Sequence, residues 1–226
     1  QKINKDKNGI ITLEGNWHGR TMGSQLLSSD KMGKKWIGFK DPNIHHLSFP
    51  YPWEVNEKNG EYFFNKSLKK LNINFKKKIT GIILETFQGW GSLFYPKSFV
   101  KAVEKFCKKN DILLVFDEMQ SGFGRTGEKF GFHHYKVSPN LVCCGKGMGS
   151  GYPLSGIIGD SKVLDLAPVG SLSSTHSANP LACAAGLATL EELNKKNLIK
   201  KSKILGEIMF SKLNELKKQF PMHIKH

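Results

Sequence analysis

The chain has 226 residues, of which 39% are hydrophobic and 23% charged, a composition typical of a globular protein that buries a core without disulfides or structural metals. Its 23 glycines and 9 prolines are dispersed without a period, which excludes a collagen-like or low-complexity chain. No run of about 18 apolar residues occurs, so the sequence predicts no membrane-spanning helix and no membrane partner.

The ends of the sequence carry no initiator Met, no signal-peptide pattern and no tail signal, which predicts an internal piece of a longer chain. The four cysteines lack C-x-x-C spacing and predict reduced, buried thiols in a cytoplasmic protein. The pairs His45-His46 and His133-His134 lack ligand spacing on one face, so no metal site is expected. The cysteines are Cys107, Cys143, Cys144 and Cys183.

The formal net charge of +15 raises the possibility of a nucleic-acid partner. Of the 34 basic residues, however, only Arg20 and Arg125 are arginines, the residue type that binds base edges and phosphates with two hydrogen bonds. The lysines are spread along the chain, as on a solvated surface. We therefore predict no nucleic-acid partner, with a lysine-rich polyanion-binding domain as the alternative from another functional class.

Five short apolar runs are predicted as strands. Their hydrophobicity is continuous rather than alternating, which is typical of a parallel sheet covered on both faces. The predicted fold class is therefore α/β, with a mostly parallel sheet flanked by helices. The runs are 10–13, 79–84, 112–116, 141–144 and 156–159.

Three helices are predicted from apolar residues that recur every three or four positions. The first covers 97–109, after Pro96, and makes a βαβ unit with the strands on either side. The second covers 181–193, with Asn179 as the N-cap and Pro180 in the first turn, and the third covers 198–218. Residues 30–74 are predicted to be a long irregular connection.

Reactive side chains follow four of the predicted strands directly. Glu85 follows the second strand, Asp117 the third, Lys146 comes two residues after the fourth, and a segment from Gly15 to Arg20 follows the first. Because ligands of α/β sheets bind beyond the carboxyl ends of parallel strands, we expect these side chains to form one site.

The segment 122–127 matches G-x-G-x-x-G, a dinucleotide-binding pattern. Pro139 follows too closely for an intervening helix, and 142–152 holds no Asp or Glu that could bind a ribose. The dinucleotide interpretation is therefore rejected.

Lys146 is singled out among the lysines by flanking glycines at 145 and 147. The close approach of the backbone predicts a partly desolvated amine suited to Schiff-base chemistry. A pyridine cofactor needs such a lysine for its aldehyde carbon and a carboxylate, here Asp117, that keeps the ring nitrogen protonated.

At this point the sequence resembles the class III aminotransferases, the pyridoxal-phosphate-dependent enzymes of fold type I that include acetylornithine, ornithine and 4-aminobutyrate aminotransferases. The resemblance extends over about residues 9–193. It implies that 1–190 are part of the cofactor-binding large domain and that 191–226 begin a smaller C-terminal domain. The motifs that carry the resemblance lie at 17–21, 117–127, 139–140, 145–147 and 174–185.

The resemblance implies five contacts with pyridoxal phosphate. Lys146 would form the internal aldimine and Asp117 would pair with the pyridinium nitrogen. Gln120 would approach the ring hydroxyl, and Trp17 would stack on the ring face. Glu85 matches the first Glu of the family's E-P-x-Q-G-E motif and is expected near the cofactor.

The resemblance also implies a homodimer with a shared site, in which Thr175, assisted by Ser174, binds the cofactor phosphate of the partner protomer. Arg20 resembles the position that holds a substrate carboxylate in acetylornithine enzymes. Arg125 matches a family arginine that we assign to structural pairing. The expected small molecules are an amino donor and an oxo-acid acceptor.

The chain departs from the family motif at Trp90, which replaces the second Glu, and at Thr86, which replaces Pro. Trp90 predicts a pocket for a bulkier or more apolar donor than ornithine; the alternative is that its ring packs under the following helix. The same residues would also serve an aminomutase, a decarboxylase or an epimerase, so the sequence leaves these activities open as alternatives to transamination.

Overall fold

A computed structural model describes residues 6–224 of the chain. Six strands form one sheet in the order β2-β1-β3-β6-β7-β8, and β4 and β5 form a separate short hairpin. The α/β class and the mostly parallel sheet are confirmed. The strands are β1 (Gly9–Leu13), β2 (Ile44–Leu47), β3 (Ile79–Glu85), β4 (Phe87–Gln88), β5 (Leu93–Phe94), β6 (Leu113–Asp117), β7 (Leu141–Cys144) and β8 (Gly156–Gly159).

All five predicted apolar runs are strands of this sheet. The first five strands of the order are parallel to one another, and β8 is antiparallel to β7. The sheet is thus mostly parallel, as predicted, and β8 is its antiparallel strand; an apolar run indicates burial but not strand direction.

Seven helices accompany the strands within residues 6–224, and all three predicted helices are among them. The side chain of Asn179 accepts hydrogen bonds from the backbone N–H groups of Leu181 and Ala182, as expected of an N-cap. The helices are α1 (Met22–Leu27), α2 (Gly60–Lys69), α3 (Phe75–Lys78), α4 (Lys97–Asn110), α5 (Ser161–Leu164), α6 (Pro180–Lys195) and α7 (Leu198–Gln219).

The prediction that 30–74 is irregular is wrong, because this segment contains β2 and α2. Two histidines in the centre of β2 hide its apolar character, and α2 begins at a glycine. The structure nevertheless buries Phe64 of α2 fully, against Phe99 of α4, with ring centroids 5.6 Å apart and nearly perpendicular. Burial of each ring contributes about 1.5–3 kcal/mol to the stability of this layer.

The C-terminal helices pack differently from the rest. Helix α6 buries Ala182 and Gly186, whereas α7 buries no residue over its 22 positions. The predicted domain boundary at residue 190 lies inside α6, and Asn197, between the two helices, has a positive φ of 51°. The division into two domains stays a prediction, and the end of α6 is the better place for its boundary.

The expectation of buried thiols is only partly met. Cys107 and Cys144 are buried, Cys143 is half-buried and Cys183 is exposed, and none of the four forms a disulfide bond.

Candidate functional site

The parallel strands place Glu85 and Asp117 side by side. Both residues end their strands, and they are register partners across the β3–β6 pair. Their exposed fractions are only 6% and 8%. Two buried carboxyl groups therefore lie next to each other at the carboxyl edge of the sheet.

Five of the predicted site residues line one narrow cavity at this edge, with a volume of about 10 Å³. A second, wider cavity of about 670 Å³ shares four lining residues with it, including Lys146, and also borders Arg125. That volume lies in the range that small organic ligands occupy. The narrow cavity is lined by Trp17, Glu85, Phe87, Asp117, Met119, Gln120, Ser121 and Lys146.

Asp117 is held by two hydrogen bonds. The imidazole Nδ1 of His18 lies 2.8 Å from Oδ2, and the backbone N–H of Met119 donates to Oδ1 at 3.1 Å. Because a carboxylate only accepts, Nδ1 of His18 carries the proton of this bond. The second ring nitrogen, Nε2, lies 3.1 Å from the hydroxyl oxygen of Thr12, which fixes the ring orientation.

His18 is the functional residue that the sequence analysis missed. It entered only as part of the 17–21 motif, with no role assigned. The available signal was its position directly after β1, at the same sheet edge as Asp117. Its pairing with a residue 99 positions away required the structure.

The side chain of Glu85 connects β3 to the segment after β1, since Oε2 accepts a hydrogen bond of 3.1 Å from the backbone N–H of Trp17. Burial raises the pKa of the Glu85 carboxyl to about 7, and the negative charge of Asp117 adds to the rise. The backbone N–H of Trp17 and the ring of His18 oppose it.

Trp17 is held from two sides. Its backbone is bound by Glu85, and the guanidinium carbon of Arg20 lies 4.9 Å from the centre of its ring, a cation–π contact. Arg20 itself is exposed and does not line the narrow cavity. The contact keeps the only arginine of the segment beside the indole.

Trp90 lies on the surface, with 72% of its side chain exposed. Its indole N–H donates a 2.7 Å hydrogen bond to the carbonyl of Gly15, in the segment that carries Trp17. Gly15 has a φ of 77°, and a Cβ there would lie 2.1 Å from the amide nitrogen of Gln88, so the turn requires glycine. The alternative that Trp90 packs under the following helix is therefore wrong.

Lys146 begins a short 3₁₀ turn with a positive φ of 43°, an uncommon conformation for a residue with a side chain. A Cβ at the preceding Gly145 would lie 2.4 Å from the sulfur of Met119, so a larger residue there would displace the Met119 side chain. The expected partial desolvation of Lys146 is wrong, because its side chain is exposed in the described part of the chain.

Ser174 and Thr175 are not brought to the cavity. Both lie in an exposed segment before α6, where the hydroxyl of Ser174 is 2.8 Å from that of Ser177. In this segment Val169 and Leu172 are almost fully exposed. The single chain thus leaves the predicted phosphate-binding residues away from Lys146.

Within residues 6–224, no group of three or more His, Cys, Asp or Glu side chains is placed to hold a metal ion. Over the same part of the chain, no helix combines the length and the apolar character needed to cross a membrane.

The fold and the site together define an α/β protein with a strand-end lysine, a histidine-supported aspartate and an aromatic ring at one cavity. The sequence matches the family described as Aminotransferase class-III over residues 1–226. The chain therefore belongs to the class III aminotransferase family, which favours an enzyme over the lysine-rich polyanion-binding domain.

Three curated relatives illustrate the range of the family. The chain is 34% identical to a probable 4-aminobutyrate aminotransferase of Bacillus subtilis, covering 95% of this chain and 51% of the relative. It is 34% identical to ornithine aminotransferase 1 of Staphylococcus saprophyticus, covering 100% of this chain and 54% of the relative. It is 32% identical to an alanine/serine racemase of Pyrococcus horikoshii, covering 93% of this chain and 47% of the relative. The chain spans about half the length of these relatives.

Solved structures agree with the fold. A transaminase from a study of directed evolution by ancestral reconstruction has a TM-score of 0.85 at 30% identity, covering 94% of this chain and 50% of that one. An (S)-enantioselective omega-transaminase from Thermomicrobium roseum has a TM-score of 0.83 at 28% identity, covering 95% and 50%.

Proposed function

We propose that the full-length protein is a pyridoxal-phosphate-dependent aminotransferase that moves an amino group from a small amino donor to an oxo acid. The observation that carries the proposal is the cavity that brings Lys146, Asp117 and Trp17 together. An amine, a buried carboxylate and an aromatic face are the groups that this cofactor requires, so the donor set fits it. Membership of the class III family supports the same conclusion.

Each proposed cofactor contact follows from its position. Lys146 would hold the cofactor aldehyde through its Nζ, and its free amine would move a proton at the substrate carbon. Asp117, oriented by His18, would hold the proton on the ring nitrogen. Trp17 would cover one face of the ring, and Gln120 would lie near the ring hydroxyl.

When bound, pyridoxal phosphate supplies a protonated ring that accepts the electron pair left at the substrate carbon. The protein's part is to keep that ring positively charged and in place. The buried Asp117–His18 pair is suited to this task, because a low-dielectric setting strengthens its interaction with a cation.

The covalent assignment is tested by borohydride reduction of the full-length, pyridoxal-phosphate-loaded protein, followed by peptide mass spectrometry. We expect the pyridoxyl group on Lys146, since no other lysine among residues 6–224 lines the narrow cavity. Lys136→Ala is the control and should leave the labelling unchanged, whereas Lys146→Ala should abolish it. Recovery of the label on a different lysine would overturn the assignment.

The reaction type is tested with the same protein and a panel of amino donors, with and without a 2-oxo acid. Amino transfer to the oxo acid supports the proposal. Interconversion of D and L amino acids without an acceptor would instead indicate a racemase, the activity in the name of one relative.

Arg20 and Trp90 are the proposed substrate-binding residues. Both contact the segment after β1. Arg20 ends this segment and lies against the ring of Trp17, and Trp90 is hydrogen-bonded to the carbonyl of Gly15. Arg20 offers a planar guanidinium for a carboxylate, and Trp90 an exposed apolar surface. Such a pair suits a donor with one carboxylate and an apolar remainder.

The role of Trp90 is tested by Trp90→Glu in the full-length enzyme, assayed with ω-amino acids and with aromatic or aliphatic amines. We expect the ratio of kcat/KM values to shift by about 10-fold away from the aromatic and aliphatic amines, because a carboxylate would replace an apolar wall. Trp90→Phe, which keeps the apolar surface, is the control. Unchanged ratios with reduced thermal stability alone would assign Trp90 to holding the turn at Gly15.

We further propose a cytoplasmic homodimer in which Ser174 and Thr175 of one protomer bind the cofactor phosphate of the other. The exposed segment around these residues, with its uncovered Val169 and Leu172, supports an interface there. Sedimentation of the full-length protein tests the dimer, and a monomer that retains activity would contradict it.

A further inference from the structure

The carboxyl groups of Glu85 and Asp117, at the sheet edge, differ in their hydrogen-bond partners. Asp117 has the His18 imidazole on one oxygen and a backbone N–H on the other. Glu85 has the backbone N–H of Trp17, and that of Gly89 also stabilises its charge. In the described part of the chain Glu85 forms no ion pair.

The groups that face Glu85 come from every neighbouring element. They are Asp117 on β6, His18 and Trp17 after β1, the backbone of Gly89, the buried phenol of Tyr95, and Gln120 and Lys146 at the cavity wall. Of the two basic side chains in this set, His18 is bound to Asp117, and Lys146 is exposed. No buried cation therefore lies beside Glu85 in the described part of the chain, whereas the carboxylate of Asp117 does.

This imbalance favours a proton on one of the two carboxyl groups while the cavity holds no cation. Asp117 is the better stabilised anion, because the His18 N–H is bonded to it. Burial raises the pKa of Glu85 to about 7, so close to half of the Glu85 carboxyl groups carry a proton at neutral pH.

We propose that Glu85 stores a proton in the cofactor-free protein and releases it to solvent when a cationic pyridinium ring binds beside Asp117. The proposal rests on the cofactor assignment made above. The O–H bond of the Glu85 carboxyl breaks, its electron pair stays on the oxygen, and the ring's positive charge balances the new carboxylate. Glu85 is thus a positioning residue that makes cofactor binding depend on pH.

The direction of the pH dependence of cofactor binding follows from the linkage of binding to proton release. A bound cation lowers the pKa of Glu85 from its raised value, so binding releases a proton and becomes tighter as pH rises. The release attributable to Glu85 is about half a proton at pH 7, larger at pH 6 and close to zero at pH 8, because the group is already ionised there.

The experiment is isothermal titration of the full-length apoprotein with pyridoxal 5′-phosphate at pH 6, 7 and 8, in buffers of different ionisation enthalpy. These heats give the number of protons released on binding. Glu85→Gln keeps an acceptor oxygen for Trp17 but cannot titrate, so the pH-dependent release should disappear. Glu57→Gln, which alters a carboxylate that also accepts two backbone N–H groups, is the matched control and should behave as wild type.

A second titration uses only the wild-type protein and so does not depend on the variant folding. The probe is the cofactor analogue in which C–H replaces the ring nitrogen, which keeps the aldehyde but brings no ring cation. We expect the analogue to release about half a proton less than the cofactor at pH 7, with the difference growing at pH 6.

The outcomes separate the two claims. If the cofactor does not bind, or borohydride labels no Lys146, the proposed function fails. If the cofactor binds and labels Lys146, but wild type and Glu85→Gln release equal numbers of protons, the inference about Glu85 is wrong. Equal release with the cofactor and its nitrogen-free analogue would also overturn it.

Discussion

Replacing Asp117 with alanine in the full-length enzyme is expected to lower kcat/KM by about 1,000-fold, which corresponds to about 4 kcal/mol of lost transition-state stabilisation. Asp117 is buried at 8% exposure and bonded to His18 at 2.8 Å, so its charge acts on the ring nitrogen in a setting with little screening by water. Without that carboxylate the ring loses its proton and accepts electrons poorly.

Two measurements separate this effect from misfolding. Borohydride should still label Lys146 in Asp117→Ala, because the lysine is held by its own turn between Gly145 and Gly147. The control is Asp111→Ala, since Asp111 is an exposed aspartate bonded to Lys7 at the far end of the β6 segment, and it should retain full activity. Near-normal turnover of Asp117→Ala would mean that another group holds the ring nitrogen.

The strand-end location of the site could be predicted from the sequence for a general reason. The apolar runs before Glu85, Asp117 and Lys146 are continuous, and parallel strands bring their carboxyl ends to one edge. The existence of β2 and the direction of β8 could not be read in this way. Strand β2 interrupts its apolar character with His45 and His46, and β8 reverses direction without any local signal.

The features of the site that could not be predicted are contacts between residues distant in the sequence. His18 and Asp117 are 99 positions apart, and no spacing rule connects them. The attachment of Trp90 to Gly15 likewise depends on how the β4–β5 hairpin folds back over the segment after β1. The exposure of Lys146 also escaped prediction, because flanking glycines indicate close backbone approach but not what covers the turn.

Glu118 is a buried residue to which the sequence analysis assigned no role. It follows Asp117 directly and is fully buried. Its carboxylate accepts hydrogen bonds from four donors, two of them backbone N–H groups of the turn at Gly131 and Phe132, at 2.8 and 2.9 Å. The other two are the hydroxyls of Thr86 and Ser121. One side chain thus connects the ends of β3 and β6 to the 3₁₀ turn at Gly131–Tyr135.

We expect Glu118→Ala to lower the free energy of unfolding by about 3–5 kcal/mol, because four buried donors lose their acceptor together. Denaturation by urea, followed by circular dichroism, measures the loss. The control Glu61→Ala removes an exposed carboxylate whose ion pair with Lys105 spans 3.9 Å, and it should change stability by at most about 1 kcal/mol.

Glu118→Gln makes the prediction more specific. Each oxygen of the carboxylate accepts one backbone N–H, Oε2 from Gly131 and Oε1 from Phe132. The amide group of glutamine places an NH₂ opposite one of these donors in either orientation, whereas the hydroxyls of Thr86 and Ser121 can rotate to accept. We therefore expect a loss of about 1–3 kcal/mol, between those of Glu61→Ala and Glu118→Ala. If Glu118→Ala were no less stable than Glu61→Ala, the carboxylate would not be what holds the Gly131 turn to the sheet, and the positions of Asp117 and Gln120 would depend on the strand alone.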